Sequence, residues 1–357
     1  MLDKLEFTER RFEEISASLS QPNIIADQEM FKKLMREHKT LTPIVEKYRE
    51  YVKAWNDERE ASEMLDSKLE VDIKELAEEE MYTARSNMVR LTEELRVLLL
   101  PKDPNDEKNV IVEIRGGVGG EEAALFANSL FRMYSMYAES RGWKPEVLNL
   151  NETELGGIKE ISFLITGDGA FSRLKFESGV HRVQRVPETE SSGRIHTSTV
   201  TVAVLAEVED VEVNINSDDL KIDTYRSSGA GGQHINKTES AIRITHLPTG
   251  LVVECQDERS QYKNKDRAMT ILRSRLYDRA EREQNEKVAA ERRTQVGTGD
   301  RSERIRTYNF PQGRVTDHRI GLTLYHLDAI LNGEIDEVIN ALVTAQQTEK
   351  LKAGEAV

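Results

Sequence analysis

"NVIVEIRGGVGGEEAALFANSLFRMYSMYAESRG", residues 109–142, decides the fold class. Val110, Ile111, Val112 and Ile114 form a short β-branched run, which reads as a strand. Glycines at 116, 117, 119 and 120 follow, and from Glu121 a helical pattern runs to a stop near Gly142. Strand, turn and helix are then followed by more strands. "EISFLITG" (160–167), "FSRLKFE" (171–177) and "TSTVTVAVLAEV" (197–208) all read as strands. The last one sets Ser198, Val200, Val202 and Val204 on one face. This succession is α+β. The glycines invite comparison with a dinucleotide fingerprint, but the spacing fails, because counting from Gly117 the third glycine falls on Glu122. Two carboxylates at the helix start would repel a pyrophosphate, although they suit the positive end of the helix dipole.

Upstream the chain reads as helix. Phe31, Leu34, His38, Leu41, Val45, Tyr48, Val52 and Trp55 recur at steps of three and four, one continuous seam. "QPN" (21–23) breaks the first helix, and Pro43 should kink or restart the second. "LAEEEMYTARSNMVRLTEELRVLLL" (76–100) is a further helix, and "PKDPNDEKN" (101–109) is a linker. Downstream, "NINSDD" (214–219) leads into a glycine-rich loop. Two strands, "AIRITHL" (241–247) and "GLVVECQ" (250–256), come next. A long Arg-rich helix then runs from about Tyr262 to Arg293, with Met269, Leu272 and Leu276 on its apolar face. A second linker, "QVGTGDRSE" (295–303), precedes "RIRTYNFPQGRVTDHRI" (304–320), a return to strand and turn, and the tail closes with helices. The expected organisation is a helical arm over 1–104, an α+β superdomain over 105–216 with 304–357, and a hinged α+β domain over 217–303.

The 357-residue chain carries a net charge of −14, unevenly spread: residues 221–320 balance at +6 and the remainder at −20. A basic module inside an acidic protein points to local contact with a polyanion and against indiscriminate coating of nucleic acid. A merely solvated basic face is the competing reading. Cys255 is the single cysteine, so one chain can form neither a disulfide nor a Cys-based zinc site. It reads as a small buried hydrophobe within "GLVVEC". The start "MLDKLEFTER" has no apolar signal core, and nowhere do 18 uncharged apolar residues run together. The expectation is a soluble, intracellular chain with no membrane contact.

Two loops carry candidate chemistry. "HRVQRVPETESSGRIHTSTV" (181–200) joins two strands. Pro187 stiffens one limb, Gln184 offers a full amide edge, Thr189 and Thr197 offer hydroxyls, and His196 offers a flat ring. Unpaired RNA bases are recognised by this mixture of stacking and edge hydrogen bonds; a polar hairpin tip is the alternative. "RSSGAGGQHINKTES" (226–240) packs glycines at 229, 231 and 232 before Gln233. The seven histidines are scattered without metal-ligand spacing, and no Ser/His/Asp or Cys/His nucleophile system is present, so neither metal nor cofactor is expected. If the loop is catalytic, it acts through geometry and dipoles. Glycines let peptide N–H groups reach a developing oxyanion, and a neutral glutamine holds a water or lines a tight pocket but cannot abstract a proton.

"GAGGQHINKTESAIRITHLPTGLVVECQDERSQYKNKDRA", "RGGVGGEEAALFA" and "RIRTYNFPQGRVTDHRI" together resemble the signature of bacterial class I peptide chain release factors of type 1, over nearly the whole chain. The resemblance implies a translation termination factor. It would enter the ribosomal A site at an mRNA stop codon, contact the decoding and peptidyl-transferase centres, and trigger hydrolysis of the P-site peptidyl-tRNA ester. Gly231, Gly232 and Gln233 then match the catalytic tripeptide. The Gln233 main-chain N–H would stabilise the transition state, and its side chain would exclude larger nucleophiles and be N5-methylated by a glutamine methyltransferase. Pro187, Glu188 and Thr189 match the Pro-x-Thr tripeptide of the form that reads UAA and UAG. Gly119, Glu122 and Thr189 would meet the first two bases, His196 would stack beside the second, and Gln184 with Thr197 would read the third. The middle tripeptide position, often a small apolar residue, is Glu188 here, a carboxylate that should slightly weaken attraction to RNA phosphate.

The resemblance also implies a cytoplasmic location and a recycling GTPase partner. The decoding hairpin and the glycine loop must reach opposite ends of a tRNA-sized space. A globule of ~100 residues has a radius of gyration of only ~13 Å, so the two loops should sit on separate domains hinged at 214–219 and 295–303. Two alternatives stand beside this reading: a codon-independent rescue hydrolase for stalled ribosomes, and a non-enzymatic RNA-binding module whose glycine loop is only a turn.

Overall fold

In the computed structural model the described residues are 2–66, 71–101, 103–187, 193–208, 215–226, 239–258 and 260–354. They begin with helices α1 (Leu2–Leu19), α2 (Pro22–Ala26), α3 (Gln28–Leu65) and α4 (Val71–Leu98). Strand β1 (Val110–Gly116), helix α5 (Glu121–Ser140), strands β2 (Lys144–Glu152) and β3 (Ile158–Thr166) and helix α6 (Ala170–Leu174) follow. Strands β4 (Gly179–Arg185), β5 (His196–Ala206), β6 (Leu220–Tyr225), β7 (Ala241–His246) and β8 (Leu251–Cys255) lead to helix α7 (Gln261–Val296). The chain closes with β9 (Arg304–Asn309), β10 (Arg314–Asp317), β11 (Leu322–Leu324), α8 (Leu327–Leu331) and α9 (Asp336–Lys352).

Contacts divide the chain into two units, residues 1–104 with 336–357, and residues 105–335. In the first, α1, α3 and α4 pack side by side through Leu5, Ile44, Tyr48 and Leu95. His38 completes the seam differently from its apolar neighbours, stacking on Phe12 with ring centroids 4.4 Å apart and sharing a hydrogen bond with Ser16 Oγ at 3.1 Å. Helix α3 runs unbroken through Pro43, so the expected restart does not occur. One missing N–H costs less than losing the packing of Ile44, Val45 and Tyr48, which follow directly in the same helix. Helix α9 groups with this unit through α4, so 336–357 stands apart from the superdomain expected over 105–216 with 304–357.

The second unit is built on an eight-stranded sheet in the order β11-β10-β9-β4-β5-β1-β3-β2, antiparallel throughout except for the parallel β4–β9 pair. One face carries Val110, Val112, Ile114, Ile161, Phe163, Ile165, Val200, Val202 and Val204, and α5 covers it with Phe126, Leu130, Met133 and Tyr134. Each such fully buried side chain contributes roughly 1.5–3 kcal/mol, which is why α5 and the central strands define the core. A separate three-stranded meander, β6-β7-β8, packs Ile242, Ile244, Val253 and Cys255 against Ala268, Leu272 and Leu276 of α7. Cys255 is buried, as its apolar neighbours suggest.

One local expectation is corrected, and two strands carry no local signal. "FSRLKFE" is not a strand: Phe171 and Leu174 are buried at helical spacing in α6, started by Gly169 at φ 73°, and a 3-10 turn completes the stretch. Strand β2 shows no strand pattern in the sequence because nearly all of it is exposed and two bulges interrupt its period-2 pairing with β3. Strand β6 is likewise a half-exposed edge, held by its register with β7.

Candidate decoding site

The hairpin of β4 and β5 pairs Val183 with Ser198, Gln184 with Thr197 and Arg185 with His196. Parallel β9 sets Tyr308 beside Val183 and Asn309 beside Gln184. Side chains alternate across a sheet, so Thr197, Gln184 and Asn309 form a row on one face. Arg185, His196 and Tyr308 lie on the other, with α5. In the row, Asn309 Nδ2 donates to Gln184 Oε1 at 3.2 Å, and the Phe310 N–H donates to the Gln184 carbonyl at 3.0 Å. Gln184 and Thr197 are therefore cross-strand neighbours at the mouth of the hairpin. Pro187 is buried beyond them and His196 is exposed. Glu188 and Thr189 lie outside the described residues.

On the opposite face Arg185 binds both carboxylate oxygens of Glu122, and its guanidinium lies over the Phe310 ring, 5.3 Å from the centroid. Glu122 is only 4% exposed. Both oxygens of its carboxylate are taken up by this pair. What the start of α5 still offers is main-chain N–H groups, which have no partners within the helix over its first turn. Gly119 is fixed there by two constraints. Its φ is +141°, and a Cβ would collide with the Ser198 hydroxyl. The segment before it is strapped to β5: the Gly117 N–H donates to the Thr199 carbonyl and the Thr199 N–H to the Val118 carbonyl, both at 2.8 Å.

Thr199 extends this strap. Its Oγ1 accepts from the Val118 N–H at 2.9 Å and donates to the Gly299 carbonyl at 3.1 Å. The end of α7 is tied to the same sheet. Arg292 forms a two-pronged pair with Glu113 at 2.6 and 2.7 Å, and Gln295 Nε2 donates to the Val204 carbonyl at 2.9 Å. Glu303 closes the turn after α7 by accepting the Thr298 N–H at 2.8 Å. The residue pattern predicts an end of α7 near Arg293 and a linker over 295–303; helix continues to Val296, and the rest is a short tethered turn.

Behind the hairpin lies a buried charge network that the motif reading did not single out. Arg306, wholly inaccessible, holds Glu177 through two hydrogen bonds of 2.7 Å and touches Asp317 at 3.3 Å. Tyr134 donates to Glu177 at 2.9 Å, and His181 Nε2 donates to the Glu177 carbonyl at 2.8 Å. Burial penalises the Glu177 carboxylate, yet the Arg306 charge outweighs it and holds the group below the ordinary range. Burial, reinforced by Arg306, pushes His181 down to about 4, so the imidazole is neutral. Burial pushes Tyr308 up to about 12. The network pins β9 to β4 and thereby places Asn309 beside Gln184.

A second feature missed from sequence is a cluster of like charges on the Gln184 face. Burial and then Arg304 lower the pKa of Arg182, and burial, Arg304 and Arg182 lower that of His318. Thr307 binds both Arg182 Nε, at 3.1 Å, and His318 Nε2, at 2.8 Å. Arg182 and Arg304, two cations held close at this cost beside a His318 ring kept toward its neutral form, suit a phosphate backbone.

Gly231, Gly232 and Gln233 lie outside the described residues. Their loop connects β6 to β7, whose last paired residues are Tyr225 and Ala241. The far limb is anchored by the buried Asn264 of α7, which donates to the Ser240 and Glu258 carbonyls at 2.8 Å and accepts from the Glu258 N–H at 2.9 Å. Asn264 sits inside the quoted motif, but only the fold shows what it holds.

The chain matches the model of the PCRF domain over residues 8–202 and that of the RF-1 domain over residues 209–319. The chain belongs to the peptide chain release factor family. Similarity extends over full-length proteins named Peptide chain release factor 1. That of Acetivibrio thermocellus is 63% identical over 99% of this chain and 98% of its own, and that of Clostridium acetobutylicum is 61% identical over the same shares. A solved structure, RF2 of Thermus thermophilus, is 35% identical, covering 96% of this chain and 95% of its own, with a TM-score of 0.49. The release factor described here is thus of type 1 and acts in stop-codon-dependent termination on the ribosome. The codon-independent rescue alternative is not favoured. Among the described residues no helix is long and apolar enough to cross a membrane.

Proposed function

We propose that this release factor reads UAA and UAG and hydrolyses the peptidyl-tRNA ester through the loop carrying Gly231, Gly232 and Gln233. The observation that carries the decoding half is the row of Thr197 and Gln184 across β5 and β4, at the mouth of the hairpin bearing Pro187, Glu188 and Thr189. Gln184 and Thr197 meet the third base, His196 stacks beside the second, and the main chain from Gly119 to Glu122 meets the first two together with Thr189. For catalysis, the Gln233 N–H stabilises the departing ribose oxygen and its side chain admits water alone. Main-chain donors of this kind contribute about 3–4 kcal/mol to a transition state.

The domain reading belongs to the same proposal. Residues 217–303 act as a unit hinged at 214–219 and 295–303, the second segment reordering when a codon is recognised. The factor works in the cytoplasm, Gln233 is a substrate for a glutamine methyltransferase, and a GTPase recycles the factor. The test is peptide release in vitro on ribosomes programmed with UAA, UAG, UGA and a sense codon. Release at UAA and UAG alone is expected, and Gln233→Ala should abolish it while ribosome binding persists. Equal release at UGA, or release without a stop codon, would refute the proposal.

A further inference from the structure

We propose that Arg182, Arg304 and Arg314 form a binding site for one RNA phosphodiester, on the sheet face that also carries Gln184 and Thr197. The site adjoins the codon-reading row proposed above and does not depend on which base that row meets.

Strand register assembles it. Arg182 pairs with Thr307 of β9, which pairs with Thr316 of β10. The next row toward the hairpin mouth is Gln184, Asn309 and Arg314. Directly paired residues share a face, as do residues two apart on a strand, so Arg182 and Arg314 stand on the Gln184 face. His318 reports how closely the cations gather there. Its Nε2 meets the Thr307 hydroxyl at 2.8 Å, and that hydroxyl accepts from Arg182 Nε at 3.1 Å. Burial and then the fields of Arg304, Arg182 and Arg314 hold the ring toward its neutral form.

The cations are neither neutralised nor fully bonded within the chain. Asp317, next to His318, is held by Arg306 and Arg319, and Glu303, next to Arg304, accepts the Thr298 N–H. Among the described residues no carboxylate pairs with Arg182, Arg304 or Arg314. The Nε atoms of Arg304 and Arg314 are buried and, among the described residues, have no hydrogen-bond partner. Buried donors left unmatched are rare in folded proteins, and two of them beside a knot of like charge call for an acceptor from outside the chain. A phosphodiester supplies it: two anionic oxygens accept from planar guanidinium forks in a matching geometry. All three arginines are half-buried, so an anion reaches their edges from solvent, and a change of rotamer brings Nε into the same set of bonds.

The experiment measures the affinity of the full-length factor for stop-codon ribosomes from about 50 to 200 mM salt, for the parent, Arg304→Met and Arg314→Met. Each variant should bind about tenfold more weakly at low salt, and its logarithmic salt slope should be shallower by about 0.7, the share of one phosphate contact. The free variants should melt higher than the parent, because repulsion and an unmatched donor are both removed; a packing role would lower the melting point. Slopes equal to the parent's overturn the proposal, and weaker binding at an unchanged slope does so too, since it would mean a protein partner. Arg314→Lys covers the case in which a Met variant fails to fold. It keeps the charge and loses the fork, so its slope should match the parent's while its affinity falls; unchanged affinity counts against the site. A single uncharged methylphosphonate linkage, walked through the stop codon and the nucleotide after it, identifies the source. If the phosphate belongs to the message, one such linkage reproduces the R314M slope in the parent and adds nothing in R314M. If it belongs to ribosomal RNA, the R314M effect is the same on every message. Release by the parent at UGA would refute the codon reading and leave these slopes unmoved.

Discussion

Gln295 places its whole side-chain amide on the backbone of Val204: Oε1 accepts the Val204 N–H at 2.8 Å and Nε2 donates to the Val204 carbonyl at 2.9 Å. Strand β4 ends its pairing with β5 at Val202, so among the described residues Val204 has no strand neighbour on that side. The glutamine takes the place of the missing residue. The tip of α7 is thereby fastened to the sheet that carries the decoding row, close to the Thr199–Gly299 hydrogen bond.

Gln295→Ala removes both partners at once and exposes a strand edge. An unsatisfied buried backbone group costs about 1–3 kcal/mol, so the Val204 amide should exchange with solvent at least tenfold faster than in the parent. Amide hydrogen exchange read residue by residue checks this. Unaltered protection at Val204 would mean the clamp contributes nothing in solution.

Gly119→Ala meets two obstacles, a positive φ that disfavours side chains and the Ser198 hydroxyl in the space of the new Cβ. Strain of this kind costs about 1–3 kcal/mol. The strap should shift and misplace the start of α5. The expected signature is a higher factor concentration for half-maximal release with a nearly unchanged saturating rate, measured by titrating factor against stop-codon ribosomes.

The His181 ring titrates near 4 in the folded protein because it is buried beside Arg306, against an ordinary value of 6.5. The unfolded chain therefore takes up a proton from about pH 6.5 downward that the folded chain refuses. Stability should fall as pH drops from 6.5 to 4, by on the order of 3 kcal/mol from this ring. Glu177 and Asp317, both held below the ordinary carboxylate range, add losses at lower pH. Denaturant unfolding across this range should show the decline, and His181→Gln should flatten its upper part.

Arg306→Met leaves Glu177 and Asp317 buried without their shared cation. Breaking a buried pair from one side costs about 3–5 kcal/mol, enough to threaten the fold of the β9–β11 edge of the sheet. The triple variant with Glu177→Gln and Asp317→Asn should recover part of the loss. Calorimetry on both proteins distinguishes charge from packing, since a packing defect alone would not be rescued.

Local chemistry was legible where a segment's own pattern decides its state. The strand–glycine–helix run at 109–142, the apolar face of α7 and the polar hairpin after β4 all follow from residue order. So do the motifs that assign the family. Where burial is imposed by neighbours, reading failed. Phe171 and Leu174 look like part of a strand until the sheet is seen to be filled without them. Strands β2 and β6 have little apolar alternation, because an exposed edge is stabilised by its partner's hydrogen bonds.

The candidate site divides in the same way. Residue types and their order alone determined that a base-reading hairpin and a glycine loop stand in this chain, and which amides, hydroxyls and glycines they hold. Only the tertiary structure decided that Glu122 spends its carboxylate on Arg185, 63 residues away, and that Asn309 bonds Gln184 across 125 residues. Hydrogen bonds act over about 3 Å and in fixed directions, so their partners depend on strand register and on the packing of α5, which no local pattern records.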